Sequence, residues 1–147
     1  MTRAIRPAEP EDAAEIARLG VALGYDVTTR QIEQRLQALA DNENSMIVVC
    51  GNPGEPLLGW VAAELRILLH SGRRVEIVGM IVDPEHQRQG IGLALLNAVE
   101  SWASSLNVGS IVVRSNTARE ASHRFYARVG FTETKTQRVY RKQTGSR

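Results

Sequence analysis

The stretch from residue 74 to residue 106 constrains the fold more than any other part of the chain. It predicts a nearly continuous apolar strand over 74–82, a stop at Asp83-Pro84, a segment rich in glycine and polar residues, and then a helix with apolar residues at helical spacing. A strand without strict apolar–polar alternation is typical of the centre of a sheet that is covered on both faces. A strand, a glycine-containing loop and a helix in this order indicate an α/β domain.

The remaining patterns predict the order βααβββαβαββ. Thr28 with Gln31, and Thr117 with Glu120, have the spacing of a capping box, and each pair predicts the start of a helix. The early strands form antiparallel hairpins and the later ones belong to strand–helix–strand units, so the prediction is an α/β domain with a mixed sheet. The predicted strands are 4–6, 45–50, 57–69, 74–82, 110–114, 131–134 and 138–141, and the predicted helices are 13–23, 28–40, 90–106 and 117–129.

Length and composition bound the class of protein. The 147 residues suit one domain over 1–147, with 143–147 as a frayed tail. A net charge of +2 is too small to indicate a nucleic-acid partner. No segment approaches the roughly 20 apolar residues of a membrane span, and the N-terminus lacks a signal core. With Cys50 as the single cysteine, we expect a cytoplasmic protein, and the three histidines have no metal-ligand spacing, so no metal is expected.

The loop between the central strand and its helix predicts an anion site. The first amides of a helix are unpaired and carry partial positive charge, and Gly90 and Gly92 leave the backbone open to close approach. Gln87, Arg88 and Gln89 add donors at its rim. No Gly-Lys-Ser/Thr triplet follows, and the third small residue of a dinucleotide fingerprint is replaced by a leucine, so the loop fits neither of those classes. The pattern favours a pyrophosphate, with a ligand-free tight turn as the alternative.

Two segments together carry a resemblance to a known family. The segment "VDPEHQRQGIGLALL" resembles the Gln/Arg-x-x-Gly-x-Gly/Ala motif of the GCN5-related N-acetyltransferase (GNAT) superfamily, and "RSNTAREASHRFYARVGF" resembles its second signature. The element order also matches that family over almost the whole chain. The start, "LGYDVTTRQIEQRL", resembles the small bacterial members of the aminoglycoside-acetyltransferase type.

The resemblance implies a fold and a co-substrate. It implies a three-layer domain whose central, mostly antiparallel sheet is splayed between strands 4 and 5, with acetyl-CoA as donor and a primary amine as acceptor. It implies that the backbone of Met80, Ile81 and Val82 pairs with the pantetheine arm. Asn116 matches a position that bonds the arm or the loop, and an N-cap is its alternative role. The cofactor residues implied in the loop are Gln87, Arg88, Gln89, Gly90, Ile91 and Gly92.

The chemistry needs a base and benefits from an acid. An alkylammonium with a pKa around 10 must lose its proton before it attacks a thioester. Glu76 is the candidate base: we expect it to share a face with Val78, Met80 and Val82, where apolar surroundings would raise its pKa. The alternative is a surface ion pair with a neighbouring arginine, Arg73 or Arg74. Tyr126 matches the family tyrosine that reaches the CoA sulfur, and packing beside Phe131 is the alternative.

On the acceptor side, the family implies the segments 23–29, 70–74 and 135–137. Tyr25 and Asp26 are the candidate acceptor-binding residues in these segments. Asp26 either binds the amine or is an ordinary acidic residue in a turn. The sequence lacks the dense acidic cluster that a polycationic aminoglycoside would favour. The expected function is acetyl transfer from acetyl-CoA to a primary amine of a small molecule by direct attack in a ternary complex. The alternatives are a peptide or protein N-acetyltransferase and a CoA-binding module without catalysis. Many relatives form homodimers, but the sequence leaves the oligomeric state open.

Overall fold

The computed structural model describes residues 4–115 and 119–145, and the chain forms two compact units. The first unit is Met1–Arg114 and the second is Ser115–Arg147. In the described part of the first unit the elements are β1 (Ile5–Pro7), α1 (Ala13–Ala22), α2 (Thr29–Leu39), β2 (Ser45–Cys50), β3 (Gly59–Leu68), β4 (Gly72–Val82), α3 (Ile91–Ser105) and β5 (Ile111–Val113). The described part of the second unit has α4 (Glu120–Arg128).

The five strands form one mixed sheet in the order β1-β2-β3-β4-β5. The first three pairings are antiparallel, and β4 with β5 is parallel, over Val75–Ile77 and Ile111–Val113 only. The predicted mixed α/β architecture is therefore confirmed, and the elements up to β5 follow the predicted order.

The two last strands of the prediction are wrong. Residues 131–134 and 138–141 lie within the described part of the second unit, and neither segment is a strand there. Side chains with high strand propensity, such as Val139 and Tyr140, are almost fully exposed. A short segment becomes a strand when a neighbour takes up its backbone hydrogen bonds, and local pattern carries no information about that neighbour.

The helices α1 and α2 cover one face of the sheet. Thr28 caps α2 as predicted, because its hydroxyl accepts from Gln31 N at 3.1 Å while the Gln31 side chain accepts from Thr28 N at 3.0 Å. Fixing this end holds the apolar side of α2 against the core, where Ile32 and Leu36 are half-buried. The buried residues of the cluster beneath are Ile16, Leu19, Val49, Leu57 and Ile81.

Helix α3 lies on the opposite face, and its Leu95, Leu96 and Val99 have no exposed surface. The approach is close at Gly59, because a β-carbon there would stand 3.2 Å from side-chain atoms of both Ile91 and Leu95. The start of α3 is thereby fixed against β3. No helix in the described ranges combines the length and the apolar character needed to cross a bilayer.

A β-bulge interrupts β4. Ala62 pairs with Gly79 and Ala63 pairs with Ile77, so Val78 is an extra residue without a cross-strand partner. Val78 is 57% exposed although it lies in the middle of an otherwise apolar strand. An extra residue shifts the alternation of side chains between the two faces of the sheet.

The bulge corrects the predicted environment of Glu76. Glu76 pairs with Glu64, and because β3 alternates regularly, the residues of β4 on the same face are Gly79 and Ile81. The prediction placed Glu76 with Val78, Met80 and Val82, which is wrong because it assumed uninterrupted alternation. The carboxylate therefore lies on the face that α1 and α2 cover.

Candidate active site

The loop before α3 presents an open helix N-terminus. Gly90 is the N-cap residue of α3 with φ +81°, and no side chain caps the first turn. A β-carbon at Gly90 would meet no atom within 4 Å, so the space beside it is open. Arg88, two residues earlier, also has a positive φ of 62°. Unpaired amides at the start of a 15-residue helix favour an anion.

The predicted loop residues divide by exposure. Gln87, Arg88, Gln89 and Gly90 are exposed, whereas the side chain of Ile91 is 2% exposed and belongs to the core. Ile91 can therefore contribute only backbone atoms to a ligand. Gly92 lies in the first turn of α3.

Asp83 fixes the beginning of this loop. Its side chain is buried and accepts a hydrogen bond from Glu85 N at 3.0 Å, while its own N–H donates to Leu58 O at 2.8 Å. Arg18 of α1 lies 3.9 Å from the Asp83 carboxylate and donates two hydrogen bonds to Glu15. Those bonds hold the pKa of Glu15 below its ordinary value, although burial opposes the shift. The loop is thus tied to the residue that precedes β3 and to α1.

The strand that leads into the loop has an open edge. One edge of β4 pairs with β3 throughout, but its other edge pairs with β5 only as far as Ile77. Among the described residues no strand lies along 78–82 on that edge. This is the segment that contains Met80, Ile81 and Val82, and it ends directly at the anion loop. An unpaired strand edge is a surface to which an extended amide-containing chain can add.

Glu76 lies in the part of β4 that pairs with β5, two residues before the open edge begins, and it is only 3% exposed. Its Oε1 accepts from Arg114 Nε at 2.7 Å and its Oε2 accepts from Arg66 Nη1 at 3.0 Å. The apolar surroundings predicted for this carboxylate are therefore wrong, and so is the predicted partner, Arg73 or Arg74. Two oxygens offer about four lone-pair positions, so Glu76 keeps acceptor capacity beside its two guanidinium partners.

Sequence reasoning missed the charged residues around Glu76. Across the hairpin, Glu64 faces Glu76 and Arg66 faces Arg74, so both directly opposed pairs carry like charges. Arg66 Nη1 also bonds Glu64 at 3.2 Å. A signal for this cluster was present: Glu64-x-Arg66 and Arg74-x-Glu76 have matching spacing on the two strands of a predicted hairpin. Its detection required the register.

The other predicted site residues are dispersed. Tyr25 and Asp26 are exposed in the connection between α1 and α2. Asn116 lies outside the described residues. In the second unit, Tyr126 is half-buried on α4, and its ring makes edge contacts with Phe125 at 5.4 Å and Phe131 at 5.5 Å between centroids. Within the described residues, no three His, Cys, Asp or Glu side chains come together as a metal-binding group.

A cavity of about 660 Å³ lies elsewhere in the first unit, between α2 and the strands β1 and β2. Because β1 is the opposite edge of the sheet from β5, this cavity is separate from the open edge of β4. Its lining includes Glu9, Glu33 and Leu36 and none of the residues of the anion loop.

Known proteins are similar to this chain in sequence and in fold. The chain is 32% identical over 134 residues to an aminoglycoside N(6')-acetyltransferase type 1 of Stenotrophomonas maltophilia, covering 88% of this chain and 86% of that protein. It is 20% identical to the crystal structure of the aminoglycoside 6'-N-acetyltransferase AAC(6')-Ih of Acinetobacter baumannii, with a TM-score of 0.83 and coverage of 98% and 100%. AAC(6')-Iy, solved with a bisubstrate analogue, CoA-S-monomethyl-acetylneamine, matches at 17% identity with a TM-score of 0.84 and coverage of 98% and 100%.

The family model of the acetyltransferase (GNAT) family matches residues 8–131, which include the open edge of β4, the anion loop and α4. The match covers most of the chain. The chain therefore belongs to the GNAT family of N-acetyltransferases.

Proposed function

We propose that the chain transfers an acetyl group from acetyl-CoA to a primary amine of a small molecule, by direct attack of the amine on the thioester while both are bound. The observation that carries the proposal is one arrangement in the first unit: the open edge of β4 ends at the loop of residues 83–90, and that loop leads into the uncapped N-terminus of α3. A pantetheine arm with a pyrophosphate at one end has amides for the edge and anionic oxygens for the helix terminus.

Each cofactor residue has a distinct task in this proposal. The backbone of Met80, Ile81 and Val82 pairs with the arm, and one of their amides stabilises the oxyanion that forms at the thioester carbon. The amides from Arg88 to Gly92 hold the pyrophosphate, and the exposed side chains of Gln87, Arg88 and Gln89 line the rim. Asn116 is proposed to bond the arm on the strength of its sequence motif.

Glu76 and Tyr126 are proposed to move the protons. Glu76 lies on β4 before the segment assigned to the arm, and its spare lone pairs accept the proton of the incoming ammonium, directly or through water. Tyr126 donates to the departing thiolate, a role that its motif in the sequence supports. Because a thiol has a pKa of only about 8.5, this second transfer assists the reaction without being essential.

Small amines are the proposed acceptors because the relatives carry names of enzymes that act on aminoglycosides, which are small amine compounds. Tyr25 and Asp26, exposed between α1 and α2, are proposed to contact the acceptor.

A free-thiol assay with acetyl-CoA and a panel of amines tests the function. We expect thiol release that depends on the amine, with an N-acetylated product identified by mass spectrometry. Binding to immobilised CoA is measured in parallel. Binding without thiol release from any amine would indicate a CoA-binding module, and release with peptide amines alone would indicate a peptide acetyltransferase. Failure to bind CoA would overturn the proposal.

A further inference from the structure

One face of the β3–β4 hairpin has more positive than negative charge. The face carries Glu64 and Arg66 from β3, Arg74 and Glu76 from β4, and Arg114 immediately after β5. These are three guanidinium groups and two carboxylates. Both carboxylates are engaged by Arg66, and Glu76 is also bonded by Arg114. The cluster therefore has one positive charge in excess.

That excess is localised at Arg74. It makes no hydrogen bond or ion pair with any residue that the structure describes, and its Nε is buried without a partner. A buried N–H group without an acceptor is costly and is rare in native proteins. Arg66 stands directly opposite, and like charges in directly opposed positions are destabilising. Both features are relieved when an anion accepts hydrogen bonds from the two guanidinium groups.

Arg66 has donors left for such an anion. Both of its hydrogen bonds leave from Nη1, while Nε and Nη2 make none with the described residues. Two facing guanidinium groups with unused N–H groups match the geometry of a carboxylate, which accepts several charge-assisted hydrogen bonds at once.

The position of this pair along β4 connects it with the acceptor. The anion loop follows Val82, and the open edge runs back four residues from Val82 to Val78, about 13 Å at the rise of a strand. A thioester at the end of an arm on this edge lies near Val78. Going back along the strand from that point, the next side chains on the face of the charged cluster are Glu76 and then Arg74, which are about 7 Å apart along the strand.

We infer that Arg74, with Arg66, binds an anionic group of the acceptor, so that the substrate is an amine that carries a carboxylate several bonds away from its nitrogen. This inference rests on the proposed function. Glu76 faces the ammonium end and the two arginines face the carboxylate end. Polycationic amines are disfavoured, because a second ammonium group would lie beside the uncompensated positive charge of Arg74 and be repelled by it.

Three acceptors of equal length test the inference in the thiol-release assay: 5-aminopentanoate, pentylamine and 1,5-diaminopentane. We expect kcat/KM for 5-aminopentanoate to exceed that for the other two by at least tenfold. Arg74→Gln should lower the value for 5-aminopentanoate to that for pentylamine, and leave pentylamine unchanged. The matched control is Arg35→Gln on the exposed side of α2, which should change neither value.

Two results would overturn the inference: a preference of the wild type for the diamine, or an equal loss for all three acceptors in Arg74→Gln. Calorimetric binding of 5-aminopentanoate to the CoA-bound protein gives a second readout that needs no turnover. Binding that Arg74→Gln abolishes supports the anion site even if no amine is acetylated, in which case only the proposed function fails. Binding that is absent, or that Arg74→Gln leaves unchanged, overturns the inference.

Discussion

Replacement of Gly90 by alanine separates the conformational role of this glycine from its role in the anion loop. An L-residue in the left-handed region costs about 1–2 kcal/mol, and Gly90 has φ +81°. A β-carbon there meets no protein atom within 4 Å, so no clash adds to that cost. We therefore expect Gly90→Ala to lower the free energy of unfolding by about 1 kcal/mol, a fall in Tm of about 4 °C. The same β-carbon occupies the space through which a phosphate reaches the amides of α3, so the Kd for CoA should rise at least tenfold, which is about 1.4 kcal/mol.

The chain offers a matched control for this substitution. Gly54, in the connection between β2 and β3, has φ +79° and equally open space. Gly54→Ala should lose about the same stability in urea denaturation and bind CoA like the wild type in calorimetry. If both variants lose equal stability and both retain the affinity of the wild type for CoA, the amides at the start of α3 do not hold the pyrophosphate, and the reasoning about the loop is refuted.

Four further outcomes are expected. Glu76→Gln should lower kcat at neutral pH with little change in acetyl-CoA affinity, and an unchanged pH–rate profile would exclude this carboxylate as the base. The same substitution should lower the free energy of unfolding by about 2–3 kcal/mol, because it weakens two charge-assisted hydrogen bonds that a buried carboxylate makes with half-exposed arginines. Glu64→Gln removes one partner of an exposed ion pair and should lower the free energy of unfolding by only about 0.5 kcal/mol. Equal losses for the two variants in urea denaturation would contradict this reasoning. Burial opposes ionisation of Asp12, but hydrogen bonds from Arg6 and the Glu9 amide outweigh it and lower its pKa, so the stability from this pair is present above the ordinary pKa of 3.8 and is lost as the pH falls below it. Asp12→Asn should therefore be most destabilising at neutral pH and approach the wild type in acid, and a difference that does not change with pH would argue against the ion pair. Tyr126→Phe should reduce kcat much more than acetyl-CoA affinity, and full activity would reject its role as acid.

Features set by local chemistry could be predicted from the sequence. The turn before α3 follows from the conformational freedom of Gly90, and the start of α2 follows from the spacing of Thr28 and Gln31. Both depend on residues within one or two turns of each other. The element order up to β5 depends on the same kind of information.

Features that depend on pairing between distant segments of the chain could not be predicted from the sequence. Val78 reads as an ordinary apolar residue of a central strand, and only its missing partner on β3 shows that it is a bulge. The partners of Glu76 come from residues 10 and 38 positions away. A periodic pattern contains neither distance, so the sequence predicted a carboxylate in apolar surroundings where the fold provides two cations.

The extra residue in β4 divides one strand into two parts that can change independently. The part from Gly79 to Val82 forms the edge assigned to binding of the donor. The part from Gly72 to Ile77 carries the charged side chains assigned to the acceptor. Substitutions at 74 would therefore alter which amines are selected, and substitutions at 76 would alter proton removal, while the donor edge keeps its geometry. A one-residue deletion at Val78 would instead remove the bulge: Ile77 and Gly79 already lie on opposite faces and would keep their partners Ala63 and Ala62, so β4 would alternate regularly and the ionic cluster would stay in its layer.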